Sequence, residues 1–233
     1  MSNIFSNKRI LVVASHPDDE ILGAGGTIHK CSTKLSSEAK VVILSKGVAS
    51  RMNEDSETFQ EEIKRNERDI KRATSIVGFK EVEVFDLPDN EFDTISLLSV
   101  IKIIEQQIED FNPDIILTHH NYDLNIDHRI TSQAVMTASR PINNNLQIVS
   151  FETPSSTEWQ FPDNHLNFNP NLFVKLEKDS IKAKMDAIDA YTGEVRDYPH
   201  PRSPLALEVI AKRWGTVIGS PFAEAFRVHR FIF

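Results

Sequence analysis

The chain has 233 residues, 40% hydrophobic and 26% charged, with Lys+Arg 26 against Asp+Glu 34 and a formal net charge of −8. Its one cysteine, Cys31, excludes a disulfide scaffold and a cysteine-rich zinc knuckle. The acidic balance argues against a nucleic-acid partner, and no apolar run approaches the roughly 18–20 residues of an integral membrane segment. The first residues lack the apolar core of a signal peptide. The expectation is therefore a cytoplasmic protein with one domain over residues 1–233, long enough to bury roughly 70% of the surface of its unfolded chain.

In chain order, residues 8–15 (KRILVVAS) form a continuous apolar run suited to a strand covered on both faces. Residues 20–34 read as a short helix containing Gly23, Gly25 and Gly26, and 39–45 as a second strand. A charged helix over 57–77 carries Phe59, Ile63, Ile70 and Ala73 on its inner face and stops at Gly78. Residues 81–87 alternate as a strand, and Leu97, Ile101, Ile104, Ile108 and Phe111 mark a helix over 94–110. Residues 114–118 (DIILT) follow an Asn-Pro turn signal as a further buried strand. This alternation predicts an α/β, Rossmann-like doubly wound fold, a mostly parallel sheet with helices on both faces. Beyond it, strands are expected at 147–151, 171–176 and 225–233, and helices at 178–191 and 205–215. Residues 152–170 read as a long loop of the kind that lines or covers a site.

Chemistry concentrates where two strands end. The first is followed by His16-Pro17-Asp18-Asp19-Glu20, the other by His119-His120 and then Asn121 to His128 (NYDLNIDH). In an open parallel sheet, ligands bind outside the carboxyl ends of strands where the strand order reverses, which brings these two stretches together. Imidazole and carboxylate are the ligand set of catalytic zinc. His16 and Asp19 can converge on one ion, His128 can complete the set, and Asp18 can stand beside it as a base. Alone, the His-Pro-Asp-Asp turn reads as a helix start, with Asp19 as cap and Glu20 favoured by the helix dipole. The second His/Asp cluster shifts the balance to a metal site.

Ala14-Ser15-His16-Pro17-Asp18-Asp19-Glu20, the following Gly23-Ala24-Gly25-Gly26 and the later Asn125-Ile126-Asp127-His128 together resemble the PIG-L/LmbE-like family of zinc-dependent N-deacetylases. The resemblance covers the first 140 or so residues well and the rest more loosely. It implies one Zn2+ per chain held by His16, Asp19 and His128, Asp18 as general base, and removal of an acetyl group from an N-acetylglucosamine-type sugar or conjugate. Asp127 would orient a histidine. Many members assemble into homo-oligomers, although no exposed stripe here identifies an interface. The chain departs from the family in carrying Asn125 where many members have a histidine three residues before the last ligand. An amide can hydrogen-bond an oxyanion but cannot transfer a proton near neutral pH. Either Asp18 both takes and delivers the proton, or another histidine enters the site. His200, in the proline-stiffened Tyr198-Pro199-His200-Pro201-Arg202 loop, is the candidate.

Substrate contacts are expected from Arg51, in the loop after the second strand, from Arg202, and from Trp159 in the long loop, which could stack on a sugar ring or simply anchor the loop. Guanidinium would suit a phosphate on an activated sugar. A dinucleotide-binding reading fails because Gly23-Ala24-Gly25-Gly26-Thr27-Ile28 lacks the final glycine and sits too far past the strand. A phosphoesterase would normally show a denser carboxylate set for two metals. An amidase acting on another N-acyl group, or a non-catalytic carbohydrate-binding protein on the same fold, stays open.

Overall fold

The computed structural model describes residues 4–47, 57–141, 145–160 and 166–232. Strands β1 (Arg9–Ala14), β2 (Glu38–Ile43), β3 (Glu81–Val84), β4 (Ile115–His119), β5 (Gln147–Phe151), β6 (Leu172–Leu176) and β7 (Phe222–Arg230) form one sheet in the order β3-β2-β1-β4-β5-β7-β6. The first five are parallel, and β7 runs antiparallel between β5 and β6. Strand order reverses between β1 and β4, where the crevice of a doubly wound sheet opens.

Helices α1 (Asp19–Lys34), α2 (Glu57–Val77) and α5 (Lys178–Ala190) pack together on one face. Helices α3 (Leu97–Phe111) and α4 (Ile126–Ala138) pack together on the other, and α6 (Pro204–Val217) packs against α5 and β7. Two buried clusters follow from this. Ile10, Val12 and Ala14 of β1 join the α1 side, while Leu11 and Val13 join the α3 and α4 side, so the run is apolar because both faces are covered. Among the described residues no helix is long and apolar enough to cross a membrane.

Boundaries moved where local caps act. Helix α3 starts at Leu97 because the Ser96 hydroxyl accepts from the Leu98 N–H, and Phe92–Thr94 forms a separate 3-10 turn. Helix α6 starts at Pro204, with the Ser203 hydroxyl accepting from the Ala206 N–H. Strand β3 ends at Val84, and β7 begins three residues before the expected strand. Helix α4 was not anticipated: its apolar residues are few, and the His/Asp stretch masks its first turn.

The α1 glycines serve close packing. A Cβ at Gly23 would lie 2.2 Å from the Phe151 ring, and one at Gly26 would lie 2.6 Å from Leu176. Beside Gly26, the Glu224 carboxylate of β7 accepts the N–H groups of Gly26 (3.0 Å) and Thr27 (2.6 Å). Lys184 of α5 bridges Glu224 (2.6 Å) and the Leu22 carbonyl (2.7 Å), and the two charged side chains are 7% and 6% exposed. A buried pair of this kind is costly to halve. Glu224→Ala strands the Lys184 charge and two helix N–H groups, and should cost about 3–5 kcal/mol by urea denaturation. A loss under 1 kcal/mol would contradict this account.

Candidate metal centre at the β1–β4 crevice

The HPDDE segment turns directly from β1 into α1. Asp18, not Asp19, occupies the N-cap position, with φ 94° and no cap bond from its side chain. A non-glycine residue in that region is strained, and such strain concentrates at functional sites. The Asp18 carbonyl accepts from Ile21 and Leu22, its N–H donates to Glu20, and the Tyr191 hydroxyl donates to Glu20 Oε1 (2.5 Å). Backbone and neighbours therefore hold Asp18 in place, and Arg202 Nη1 lies 3.1 Å from its Oδ2. Both Asp18 oxygens are buried and make no hydrogen bond among the described residues.

Asp19 turns inward as the hub. Its Oδ2 accepts the His16 N–H (2.9 Å) and lies 3.4 Å from His16 Nδ1 and 3.2 Å from His128 Nε2. Each imidazole is fixed from behind: His16 Nε2 donates to Asp127 Oδ2 (2.9 Å), and His128 Nδ1 donates to Asp123 Oδ1 (3.0 Å). This is the arrangement in which a metal-ligating histidine is oriented by a carboxylate on its other nitrogen. Tetrahedral zinc with bonds of about 2.0–2.2 Å separates its ligand atoms by roughly 3.3 Å, close to the two separations at Asp19. The donor set of His16, Asp19 and His128 thus fits one zinc ion.

His16, Asp89 and Asp127 also lie close together, but Asp127 is already engaged. It accepts from His16 and from the Asn90 (2.8 Å) and Phe92 (3.0 Å) N–H groups, so it anchors the 90–92 segment. His119 is buried beneath His128, rings stacked at 3.9 Å. Its Nε2 accepts the Ser15 N–H (2.9 Å) and its Nδ1 faces Thr153 Oγ1 (3.1 Å), so the lone pair that could bind a metal is already used. Burial pulls His119 down to about 3, with the neighbouring His128 charge acting the same way.

The groups of this cluster titrate differently. Burial disfavours charge on His16, yet its hydrogen bonds to Asp127 and Asp19 prevail and raise it to about 10. Burial likewise opposes charge on His128, but Asp19 and Asp123 raise it to about 9. Burial pushes Asp18 well above the usual carboxylate range against the pull of Arg202. Asp19 is held well below that range, because the histidines outweigh the effect of its burial.

The other expected site residues divide. Asn125 caps α4, its Oδ1 accepting from Asp127 N–H (2.8 Å) while Nδ2 donates to Asn90 Oδ1 (2.9 Å), and it lines the small cleft of about 70 Å³ beside Asp18 and His16. Arg202 reaches that cleft: Nη1 lies 3.1 Å from Asp18 Oδ2 and 2.8 Å from Glu194, and Nε donates to Ser155 Oγ. Nη1 is therefore engaged by two protein carboxylates and Nε by a hydroxyl. His200 does not join the cluster; its Nδ1 accepts the Arg202 N–H and its ring meets the edge of Trp159 at 5.7 Å. Trp159 is 53% exposed, and the ring it meets is that of His200. Arg51 lies outside the described residues.

Asp123 was missed as a site residue, although it stands five positions before His128. Besides His128 it accepts from the Asn125 N–H, Ser156 and Thr157, and these partners hold it down at about 2 despite burial.

Residues 11–139 match the profile of a family described as GlcNAc-PI de-N-acetylase, PIG-L. The chain is 27% identical over 195 residues to a probable N-acetyl-alpha-D-glucosaminyl L-malate deacetylase 2 of Bacillus anthracis, covering 81% of this chain and 82% of that protein. It is 28% identical over 228 residues to the diacetylchitobiose deacetylase of Thermococcus kodakarensis, covering 94% and 82%. Its fold superposes on the 4-carboxy-2-hydroxymuconate hydratase of Pseudomonas putida with a TM-score of 0.76 at 18% identity, over 97% and 98% of the two chains.

Carboxylate partners favour the charged form of both imidazoles, His16 and His128, so zinc uptake at these nitrogens should expel about two protons. Affinity should rise about 100-fold per pH unit between pH 6 and 8, flattening as pH passes the raised histidine values. Calorimetry in two buffers of different ionisation enthalpy reads the proton count directly. A pH-independent affinity would contradict the assignment of His16 and His128. Asp123→Asn should weaken zinc binding about 10–100-fold while leaving the ligand set intact.

Proposed function

The chain belongs to the GlcNAc-PI de-N-acetylase (PIG-L) family, and from that membership and the β1–β4 crevice we propose that it is a zinc-dependent N-deacetylase. Its substrate is an N-acetylglucosamine-type sugar or conjugate, hydrolysed to acetate and a free amine. The observation that carries the reading is the convergence of His16, Asp19 and His128, two imidazoles pinned from behind, beside an Asp18 carboxylate with no hydrogen bond. The relatives' names supply the acetylated amino sugar. The fold alone does not choose the reaction, since a hydratase shares it.

Zinc, when bound, supplies the Lewis acid that lowers the pKa of a water and polarises an acyl carbonyl. Asp18 is placed to accept the proton of the attacking water as its oxygen bonds to the acetyl carbon. When the C–N bond breaks, the same carboxyl returns the proton to the leaving nitrogen. Its high proton affinity, set by burial, suits both steps. Arg202 limits that affinity and fixes the carboxylate, so we assign it to positioning Asp18. Asn125 has a second amide hydrogen to offer the developing oxyanion. Trp159 is kept as an outer platform for the sugar, and Arg51 as a contact of the rim. The wide apolar groove of about 630 Å³ beyond the Pro154–Thr157 wall, lined by Tyr198, Phe168 and Trp214, suits the non-sugar part of a conjugate.

Acetate release from N-acetylglucosamine and N,N′-diacetylchitobiose tests the reading. Asp18→Asn should lower kcat about 100- to 10,000-fold with zinc content unchanged, whereas His200→Ala should leave kcat within about twofold. Retained activity in Asp18→Asn, or none in the zinc-loaded wild type on any N-acetylated sugar, would sink the mechanism.

A further inference from the structure

Helix α5 ends at Ala190 with Tyr191 as its C-cap, and the chain turns at once: the Tyr191 carbonyl accepts the Glu194 (2.9 Å) and Val195 (3.0 Å) N–H groups. Three side chains of this 191–194 turn reach three different parts of the protein. The middle one ties it down. The Thr192 N–H (2.9 Å) and hydroxyl (2.7 Å) both donate to Asp69 Oδ2 of α2, a helix that gives the metal centre no ligand. Helix α5 itself packs against α1 and α2, so the turn has a fixed base. The other two side chains both lead to Asp18.

The first arm sets the main chain. Tyr191 and Glu20 are buried, the Tyr191 hydroxyl donates to Glu20 Oε1 (2.5 Å), and Glu20 Oε2 accepts the Asp18 N–H (3.1 Å). The two bonds grip opposite oxygens of one carboxylate, so the phenol fixes its plane and the carboxylate in turn fixes Asp18. Asp18 has φ 94°, which a residue with a side chain keeps only where its surroundings over-determine it. The second arm sets the carboxylate. Glu194, also buried, accepts from Arg202 Nη1 (2.8 Å), the same nitrogen that lies 3.1 Å from Asp18 Oδ2, while Nε donates to Ser155. Glu194 and Ser155 thus hold the guanidinium to one side of Asp18. Released, the planar fork could close on both Asp18 oxygens, the pairing that guanidinium and carboxylate favour, and tie up the group.

We propose that the 191–194 turn is the positioning element of Asp18: Tyr191 acts on its main chain through Glu20, Glu194 acts on its carboxylate through Arg202, and Thr192 anchors both arms to α2. The inference rests on the reading of Asp18 as the proton carrier. Tyr191 does not line the cleft beside Asp18 and His16, so its influence there passes through Glu20. The two arms start three residues apart, and a shift of the turn therefore moves the backbone and the side chain of Asp18 together. A misplacement of about 1 Å at a reacting group costs roughly 100-fold in rate. The defect expected from either arm lies in the chemical step rather than in the binding of the sugar.

The test uses Tyr191→Phe and Glu194→Gln in the zinc-loaded full chain, with acetate release from N-acetylglucosamine as the assay. Each should lower kcat about 10- to 100-fold, with KM within about twofold and zinc content unchanged. Added to Asp18→Asn, Tyr191→Phe should lower the residual rate no further, because residues that act through one group are not additive. Crystal structures of the two variants give an arm that needs no activity. Asp18 should leave its positive φ in Tyr191→Phe, and Arg202 should close on both Asp18 oxygens in Glu194→Gln. Losses that add to that of Asp18→Asn, or an Asp18 unmoved in both crystal structures, would overturn the proposal. A wild-type protein that releases no acetate from any N-acetylated sugar would instead sink the deacetylase reading, and the crystal structures would still decide whether the turn positions Asp18.

Discussion

Asp127 has no exposed surface and no water to solvate it, so its carboxylate must find N–H groups within the protein. It finds three of them on two separate segments: the His16 ring just after β1, and the Asn90 and Phe92 amides of the segment leading into α3. Asp127 itself sits in the first turn of α4, where the helix dipole favours negative charge. Asp123 and Asp19 solve the same problem with His128, Ser156, Thr157 and the His16 amide. The buried carboxylates of Asp18, Asp19, Asp89, Asp123, Asp127, Glu20 and Glu194 outnumber the basic groups His16, His128 and Arg202 that face them. Such an excess in a low-dielectric crevice draws in positive charge. Protons on the two imidazoles answer part of it, and a dication offered by the same nitrogens would answer it without them.

The placement of these groups is inherited from packing that runs back into the sheet. Gly23 lets α1 rest on Phe151, whose ring meets His119 edge-on at 5.0 Å, and His119 in turn stacks on His128. Glu224 and Lys184 fasten the same helix to β7 and α5 three residues further along. Helix α1 carries Asp19 in its first turn, so its register against β5 and β7 sets where the hub carboxylate lies. The stiffness of the centre therefore comes from strand β5 and helix α5, neither of which contributes a ligand.

The residues 8–15 and 114–118 betrayed the core strands because an apolar run bounded by turns has few other readings, and adjacency of parallel strands then joined HPDDE to the later histidine. What those patterns could not carry was side-chain direction. His119 and His120 look alike in sequence, yet one lies under the metal set and the other faces away; only the pairing of β4 with β1 and β5 decides that. Asp123 was illegible for a related reason, since its partners Ser156 and Thr157 sit over thirty residues on, in a turn with no sequence signature. Arg202 rather than His200 reaches Asp18 because the 198–203 loop turns back on itself, with His200 Nδ1 accepting the Arg202 amide. Helix α4 was obscured by its composition, its first turn being built of Asp127 and His128 rather than of an apolar stripe.

Asn125, where the family resemblance leads one to expect histidine, is intelligible in the same terms. Asparagine is among the best N-cap residues, and here its Oδ1 takes the Asp127 amide while its Nδ2 holds Asn90. It thus fixes, from both sides, the segment that presents Asp127 to His16 and the helix that presents His128. Histidine at this position would give up much of that cap. With the amide at position 125 unable to transfer a proton near neutral pH, the proposed mechanism leaves that task to a carboxyl of the cleft without a hydrogen bond. Asp19, Asp123 and Asp127 all have oxygens tied to donors, whereas both oxygens of Asp18 are without a hydrogen bond among the described residues. Its strained backbone is held by Glu20 and Tyr191, and its side chain is braced by Arg202, so the carboxyl we propose as the proton carrier is also one whose position the surrounding chain over-determines.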